Sequence, residues 1–189
     1  MIYIIRHGET NWNLEGRFQG RKDTELNKTG IKQAKRAGEE LAGVKFDKVF
    51  SSPLKRAYKT AQIICDNQNV EIISDERLIE RGNGELEGRL RTEYKGIVNF
   101  ADPNENRFGI EPLPEVRRRI TDFFDEILYN YPDDNILVVM HGGVSIYAKC
   151  YFEGEPKDGD YRKYKLENCE VLKYENNKKI VNNLSDVER

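Results

Sequence analysis

The chain has only two histidines, and both share one setting: an apolar run, then His, then Gly. Ile2-Tyr3-Ile4-Ile5 leads into Arg6-His7-Gly8, and Ile136-Leu137-Val138-Val139-Met140 leads into His141-Gly142-Gly143. With glycine at roughly 7% of ordinary sequence, chance would put Gly after both histidines in about 0.5% of such chains. Imidazole is nucleophilic near neutral pH, so it can take a phosphoryl group and later surrender it to water or an alcohol. Arg6 adds a permanent cation whose planar fork suits phosphate oxygens. Gly8 allows close backbone approach, and a Gly142-Gly143 turn opening a helix aims N–H groups at the same anion. A lone His beside an apolar run is ordinarily a satisfied structural residue. Two at strand ends read as one site, because α/β sheets bind ligands outside the carboxyl ends of their strands.

Transfer of a phosphoryl group also calls for a second cation and a proton donor for the leaving oxygen. Arg56, in the first turns of a helix opened by Ser51-Ser52-Pro53, supplies the first. Glu80, in Leu78-Ile79-Glu80-Arg81, is a candidate general acid. Taken singly, each reads as a solvated surface charge. Cys65, Cys150 and Cys169, odd in number and widely spaced, suit reduced thiols better than a disulfide or zinc framework.

The elements that must position these groups are legible in the hydrophobic pattern. Strands are expected at Ile2 to Arg6, Phe46 to Phe50, Val70 to Ile73, Ile136 to Met140, Val171 to Tyr174 and Ile180 to Asn182, the last two joined by a turn at Asn176-Asn177. Helices are expected at Thr29 to Leu41, Leu54 to Ile64, Glu115 to Tyr129 and Val144 to Phe152, with Ser capping the second and Pro53 in its first turn. Gly8 to Lys28 reads as loop, and residues 76–114 as a lid-like excursion. Alternating strands and helices imply an α/β three-layer sandwich: a mostly parallel central sheet with helices on both faces and a late antiparallel strand at its edge. One domain spanning 1–189 fits the length.

A net charge of -2 offers no global field for nucleic acid or anionic lipid. No apolar stretch approaches a membrane span, and no signal peptide precedes the first strand, so a cytoplasmic protein with no membrane partner is expected. A homodimer through an edge strand is one arrangement that nothing in the sequence requires.

Arg6-His7-Gly8-Glu9-Thr10-Asn11-Trp12-Asn13 and Gly16-Arg17-Phe18-Gln19-Gly20 resemble the signature of the histidine phosphatase superfamily, which includes the cofactor-dependent phosphoglycerate mutases. Leu26 to Gly30 with Gln33-Ala34, Ser51 to Ala57, Glu80 to Gly88 and Val139 to Gly143 resemble its later motifs, in order. The resemblance implies a phosphoglycerate mutase-like fold in which His7 is transiently phosphorylated, Arg6, Arg56 and His141 form the phosphate pocket, and Glu80 moves the proton. Asn13, Gln19, Gly20, Arg81 and Gly142 fall at positions tied to phosphate or substrate. No metal or other cofactor is implied. Because only Arg89 to Pro114 fills the lid region, a phosphomonoester phosphatase acting on a small phosphorylated metabolite is favoured over a mutase. A non-catalytic phosphate-binding regulatory module is the alternative of another class.

Two departures from the family pattern carry expectations of their own. Ile110-Glu111-Pro112 keeps a Glu but loses its usual neighbours, which predicts weaker lid anchoring. Asn83 and Leu86 replace common aromatics, which predicts a more polar substrate pocket. The Arg117-Arg118-Arg119 run is expected to be mostly solvated, since successive helical residues point in different directions.

Overall fold

A computed structural model describes residues 1–102 and 104–176. The expected hairpin continuation and the Ile180 to Asn182 strand lie outside the described residues. Five strands form one sheet: β1 (Ile2–Arg6), β2 (Lys48–Ser51), β3 (Ile72–Ser74), β4 (Ile136–Met140) and β5 (Val171–Tyr174), in spatial order β3-β2-β4-β1-β5. The first four run parallel, and β5 pairs antiparallel with β1 at the edge.

Strands β1 and β4 are buried along their whole length, and apolar up to Arg6 at the end of β1, because both of their faces are covered. Ile2, Ile4, Ile136, Val138 and Met140 pack against α4 (Leu113–Asn130) and α5 (Gly142–Glu153). Tyr3, Ile5, Leu137 and Val139 alternate to the other face, under α2 (Lys28–Glu40) and α3 (Lys55–Ile64). The α4 stripe of Val116, Ile120, Phe123, Phe124, Ile127 and Leu128 is the core face read from the sequence. At about 25 cal/mol per Å² of apolar area removed from water, such residues stabilise the sandwich by ~2 kcal/mol each.

Three local details differ from expectation. A four-residue helix, α1 (Asn11–Leu14), interrupts the expected loop; it is too short to show a period, and Thr10 and Asn13 close a capping box around it. Helix α3 begins at Lys55 with Leu54 at its cap position and no side-chain cap bond, so Ser51, Ser52 and Pro53 precede it. Both serines are fully buried, with Ser51 Oγ donating to the Ser52 carbonyl and Ser52 Oγ accepting from the Leu54 N–H. The described residues of 76–112, which lead into α4, carry four short 3₁₀ turns and no strand. Among the described residues no helix is long and apolar enough to cross a membrane.

Candidate active site

Helices following β1 and β4 lie on opposite faces of the sheet, which makes the crevice between these two strand ends its topological switch point. Their register brings the histidines together there. Ile5 pairs with Val139 and Arg6 with Met140, and the His7 N–H donates to the Met140 carbonyl at 3.0 Å. The two buried imidazoles stand with centroids 5.1 Å apart.

His7 Nδ1 lies 2.7 Å from the carbonyl oxygen of Gly8. A carbonyl can only accept, so Nδ1 carries the proton and Nε2 keeps its lone pair. That lone pair accepts from Arg56 Nε at 3.3 Å. Burial, then the charges of Arg56 and Arg6, hold the His7 pKa well below its usual value; the bond to Gly8 only partly opposes them. The imidazole is therefore neutral and aimed.

Arg56 is wholly buried, with Nη1 donating to the Lys22 carbonyl at 2.7 Å and Nη2 to the Gly20 carbonyl at 2.8 Å. Burial brings its pKa down to about 10, which leaves it cationic at neutral pH. Arg6 donates through Nη1 to the Leu166 carbonyl at 2.9 Å, while its buried Nε has no partner. His141 shows the same pattern. Its Nε2 is 2.7 Å from Ser52 Oγ and, among the described residues, is the acceptor within reach of the serine's hydroxyl proton, so Ser52 donates to Nε2 and Nδ1 is the ring's donor. That Nδ1 is buried without a partner. Burial, then Arg56, keep His141 well below its usual pKa. Unpartnered buried polar atoms cost about 1–3 kcal/mol each, so two donors left vacant around one nucleophile point to an absent acceptor.

Glu80 sits half-buried beside them. Its carboxylate accepts from the Arg81 N–H at 2.9 Å and from the Gly143 N–H at 3.0 Å. A Cβ on Gly143 would stand 2.5 Å from Glu80 Oε1, so glycine is what lets the carboxylate lie against the start of α5. The Gly143 N–H, expected to face the anion, is thus taken by Glu80. Gly8 also departs from expectation: a Cβ there would meet the Gly30 carbonyl oxygen at 2.5 Å, and its N–H donates to Thr60 Oγ1. Its missing side chain serves packing against α2.

The remaining expected residues are spread more widely. Gly142 is the first residue of α5, with Arg6 Nε 3.2 Å from where its Cβ would lie. Asn13 Oδ1 accepts from the Thr10 N–H, and buried Gln19 accepts from Thr10 and Thr24 hydroxyls, so both brace the loop after β1. Buried Arg81 donates to the carbonyls of Glu111 and Phe100 and keeps Nη2 unpartnered. Ser52 was missed by sequence reasoning because its type and place resemble a helix cap.

A pocket of about 740 Å³ opens outward from Glu80 and Gly143. Phe18, Phe100, Tyr147 and Tyr161 line it together with Asn83, Asn99 and several charged side chains. Leu86 turns instead into a small core with Phe18 and Ile110. The excursion is also well anchored. Arg119 pairs in bidentate fashion with Glu111 and donates to the carbonyls of Arg77 and Ile79, while Glu111 accepts from the Gly82 N–H and Arg21. Burial is the largest influence on the Glu111 pKa and would raise it, but the bond to Arg119 and its charge, with the Gly82 N–H and Arg21, together outweigh it and the net shift is downward. Arg117 and Arg118 are exposed as expected; Arg119 is not. Among the described residues no group of three His, Cys, Asp or Glu side chains could hold a metal ion, and all three cysteines are free.

The sequence model of the histidine phosphatase superfamily (branch 1) matches residues 2–186. Phosphoserine phosphatase 1 of Hydrogenobacter thermophilus is 36% identical over 147 residues, covering 74% of this chain and 70% of that protein. Phosphoglycerate mutase-like protein 4 of Arabidopsis thaliana is 38% identical over 160 residues, covering 78% and 70%. A mycobacterial glucosyl-3-phosphoglycerate phosphatase solved with vanadate (VO3) superposes with a TM-score of 0.80 at 25% identity, covering 90% of each chain. A mutant phosphoserine phosphatase of Entamoeba histolytica, solved with phosphoserine, gives 0.76 at 29% identity, covering 90% of this chain and 87% of that one.

Proposed function

This chain belongs to the histidine phosphatase superfamily, and from that premise we propose that it hydrolyses phosphomonoesters through a phosphohistidine at His7, without a metal. It is a phosphatase of small phosphorylated metabolites. The observation that carries the mechanism is the His7 tautomer: Nδ1–H held by the Gly8 carbonyl, Nε2 bare and facing Arg56.

When the ester enters, its phosphoryl oxygens replace the imidazole as acceptor for Arg56 and satisfy Arg6 Nε and His141 Nδ1. The Nε2 lone pair attacks phosphorus, the P–O ester bond breaks, and the Glu80 carboxyl gives its proton to the departing alcohol oxygen. Glu80, now ionised, takes a proton from water as that water attacks phosphorus. The N–P bond breaks and inorganic phosphate leaves. The cations work by stabilising the charge spread over the in-flight phosphoryl group.

The test is brief mixing with a radiolabelled phosphomonoester in the presence of chelator, then an acid-lability assay. Native protein should carry acid-labile label, and His7→Ala should carry none and lose more than about 10³-fold in turnover. Equal labelling of both proteins would remove His7 as the nucleophile.

A further inference from the structure

The pocket beside Glu80 carries more positive charge than one transferred phosphoryl group uses. Arg81, Arg91, Arg117, Arg162 and Lys165 line it, and among the described residues Glu80 is its only carboxylate. Arg117 is paired with Glu155 and Arg162 with Asp160. Lys165 stands apart. It is half-buried, and among the described residues its ammonium makes no hydrogen bond and no ion pair. Its Cε and Arg6 Nε stand 2.9 and 3.2 Å from where a Cβ on Gly142 would lie, so it occupies the seam between the phosphoryl end and the open pocket. Burial, then Arg91 and Arg6, act against its charged form. Arg81 Nη2, on the same wall, is buried and unpartnered. A half-buried cation without a counter-ion is costly unless an anion joins it, and Arg91, exposed over the Phe18 ring with its Nε on the Arg17 carbonyl, adds charge at the same mouth.

We propose that Lys165 and Arg91, backed by the vacant Arg81 donor, form a second anion subsite for the acidic group of the substrate that is not transferred. The substrate is then a phosphomonoester bearing a second anionic group, a carboxylate or another phosphate, with its carbon body against Phe18, Phe100 and Tyr147. This rests on the phosphatase reading above and narrows its substrate class. Sequence gave no signal for Lys165, which lies in a charged stretch without period.

Matched esters test it: phosphoserine against phosphoethanolamine for a carboxylate, and fructose 1,6-bisphosphate against fructose 6-phosphate for a second phosphate. Wild-type protein should prefer the more acidic member of at least one pair by about 10-fold or more in kcat/KM, and the pair that does so names the anion. Lys165→Met should lower kcat/KM for the favoured ester about 10- to 100-fold, mostly through KM, and for its partner only several-fold. Lys165→Arg should recover part of the preference. No preference in either pair, or equal losses for both members of the favoured pair, would overturn the subsite. Absence of label on His7 with the preference intact would instead sink the phosphohistidine and leave the subsite standing.

Discussion

Two regions of this molecule meet at Glu80, and they are built differently. The floor consists of the ends of β1 and β4 with the start of α3, and its groups (His7, Arg6, Arg56, His141) are all buried. Most of their polar atoms are bonded to protein, while Arg6 Nε and His141 Nδ1 are buried without a partner. The wall is drawn from 3₁₀ turns and segments outside the sheet, Arg81 to Arg117 and Tyr161 to Lys165, and several of its side chains reach solvent. Positions on hydrogen-bonded strand ends hold a charge still, whereas loops can change shape and chemistry without disturbing it. On the proposed reading, the difference divides the properties: reaction type in the sheet, substrate choice in the wall.

The sharpest way to break that comparison is to press on the floor's scaffolding. Gly30 in α2 lies against the backbone of Glu9, and an added Cβ would stand 2.1 Å from the Glu9 carbonyl oxygen. Helix propensity alone favours alanine there by about 1 kcal/mol. Overpacking against backbone opposes it by about 3 kcal/mol, so Gly30→Ala should lose stability in urea melts, with activity lost as the loop after His7 shifts. On the wall, Tyr161→Ala should move the same melts by less than about 1 kcal/mol. A Gly30→Ala protein as stable as wild type would mean that the floor tolerates backbone movement, and the contrast would fail.

A smaller effect is expected at the seam. Gly143→Ala is compatible with the helix, but its Cβ would sit 2.5 Å from Glu80 Oε1, the movable end of a side chain. The fold should survive while Glu80 is displaced. We expect kcat to fall about 10- to 100-fold for esters with poor leaving groups and less for good ones, as with Glu80→Gln. A leaving-group series measures this. A uniform loss across the series would assign Glu80 to positioning and not to proton transfer.

The floor was legible in the sequence because it depends on strand ends. A period-free apolar run followed by His-Gly states both the strand and the site. Thr10, Ser52 and Thr60 were not legible as site supports, since a buried hydroxyl reads in sequence like a cap or a surface residue. The glycine roles were misread for a similar reason. A missing Cβ says that something comes close, not whether it is a ligand, a carboxylate or another backbone. The wall was the least legible part. Its anchoring by Arg119 on the Arg77 and Ile79 carbonyls and its charge at Lys165 are tertiary facts joining segments 40 or more residues apart, with no local period to announce them. Asn83 does line the pocket, but Leu86 turns into a small core with Phe18 and Ile110, and Phe100, Tyr147 and Tyr161 come to the pocket from elsewhere in the chain.

The mildest prediction concerns pH and also separates floor from wall. His7 and His141 have folded-state pKa values well below 6.5, with burial the largest cause and Arg56 the next. Below about pH 6.5 the unfolded chain takes up protons on both histidines that the folded chain refuses. Stability therefore rises with pH in that window, is complete above it, and declines as pH falls toward the folded values, by at most about 1.4 kcal/mol per pH unit for each histidine. Urea melts between pH 7.5 and 5.5 should show this slope, and His141→Gln should flatten part of it. Because neutral His7 is the nucleophile, kcat/KM should keep its acid limb below pH 6.5 rather than at it. Saturating inorganic phosphate should lessen the stability slope, since an anion on Arg6, Arg56 and His141 favours the imidazolium. Histidine resonances titrating near 6.5 in the free protein would show that water reaches the floor, and the division between a dry floor and a wet wall would have to be redrawn.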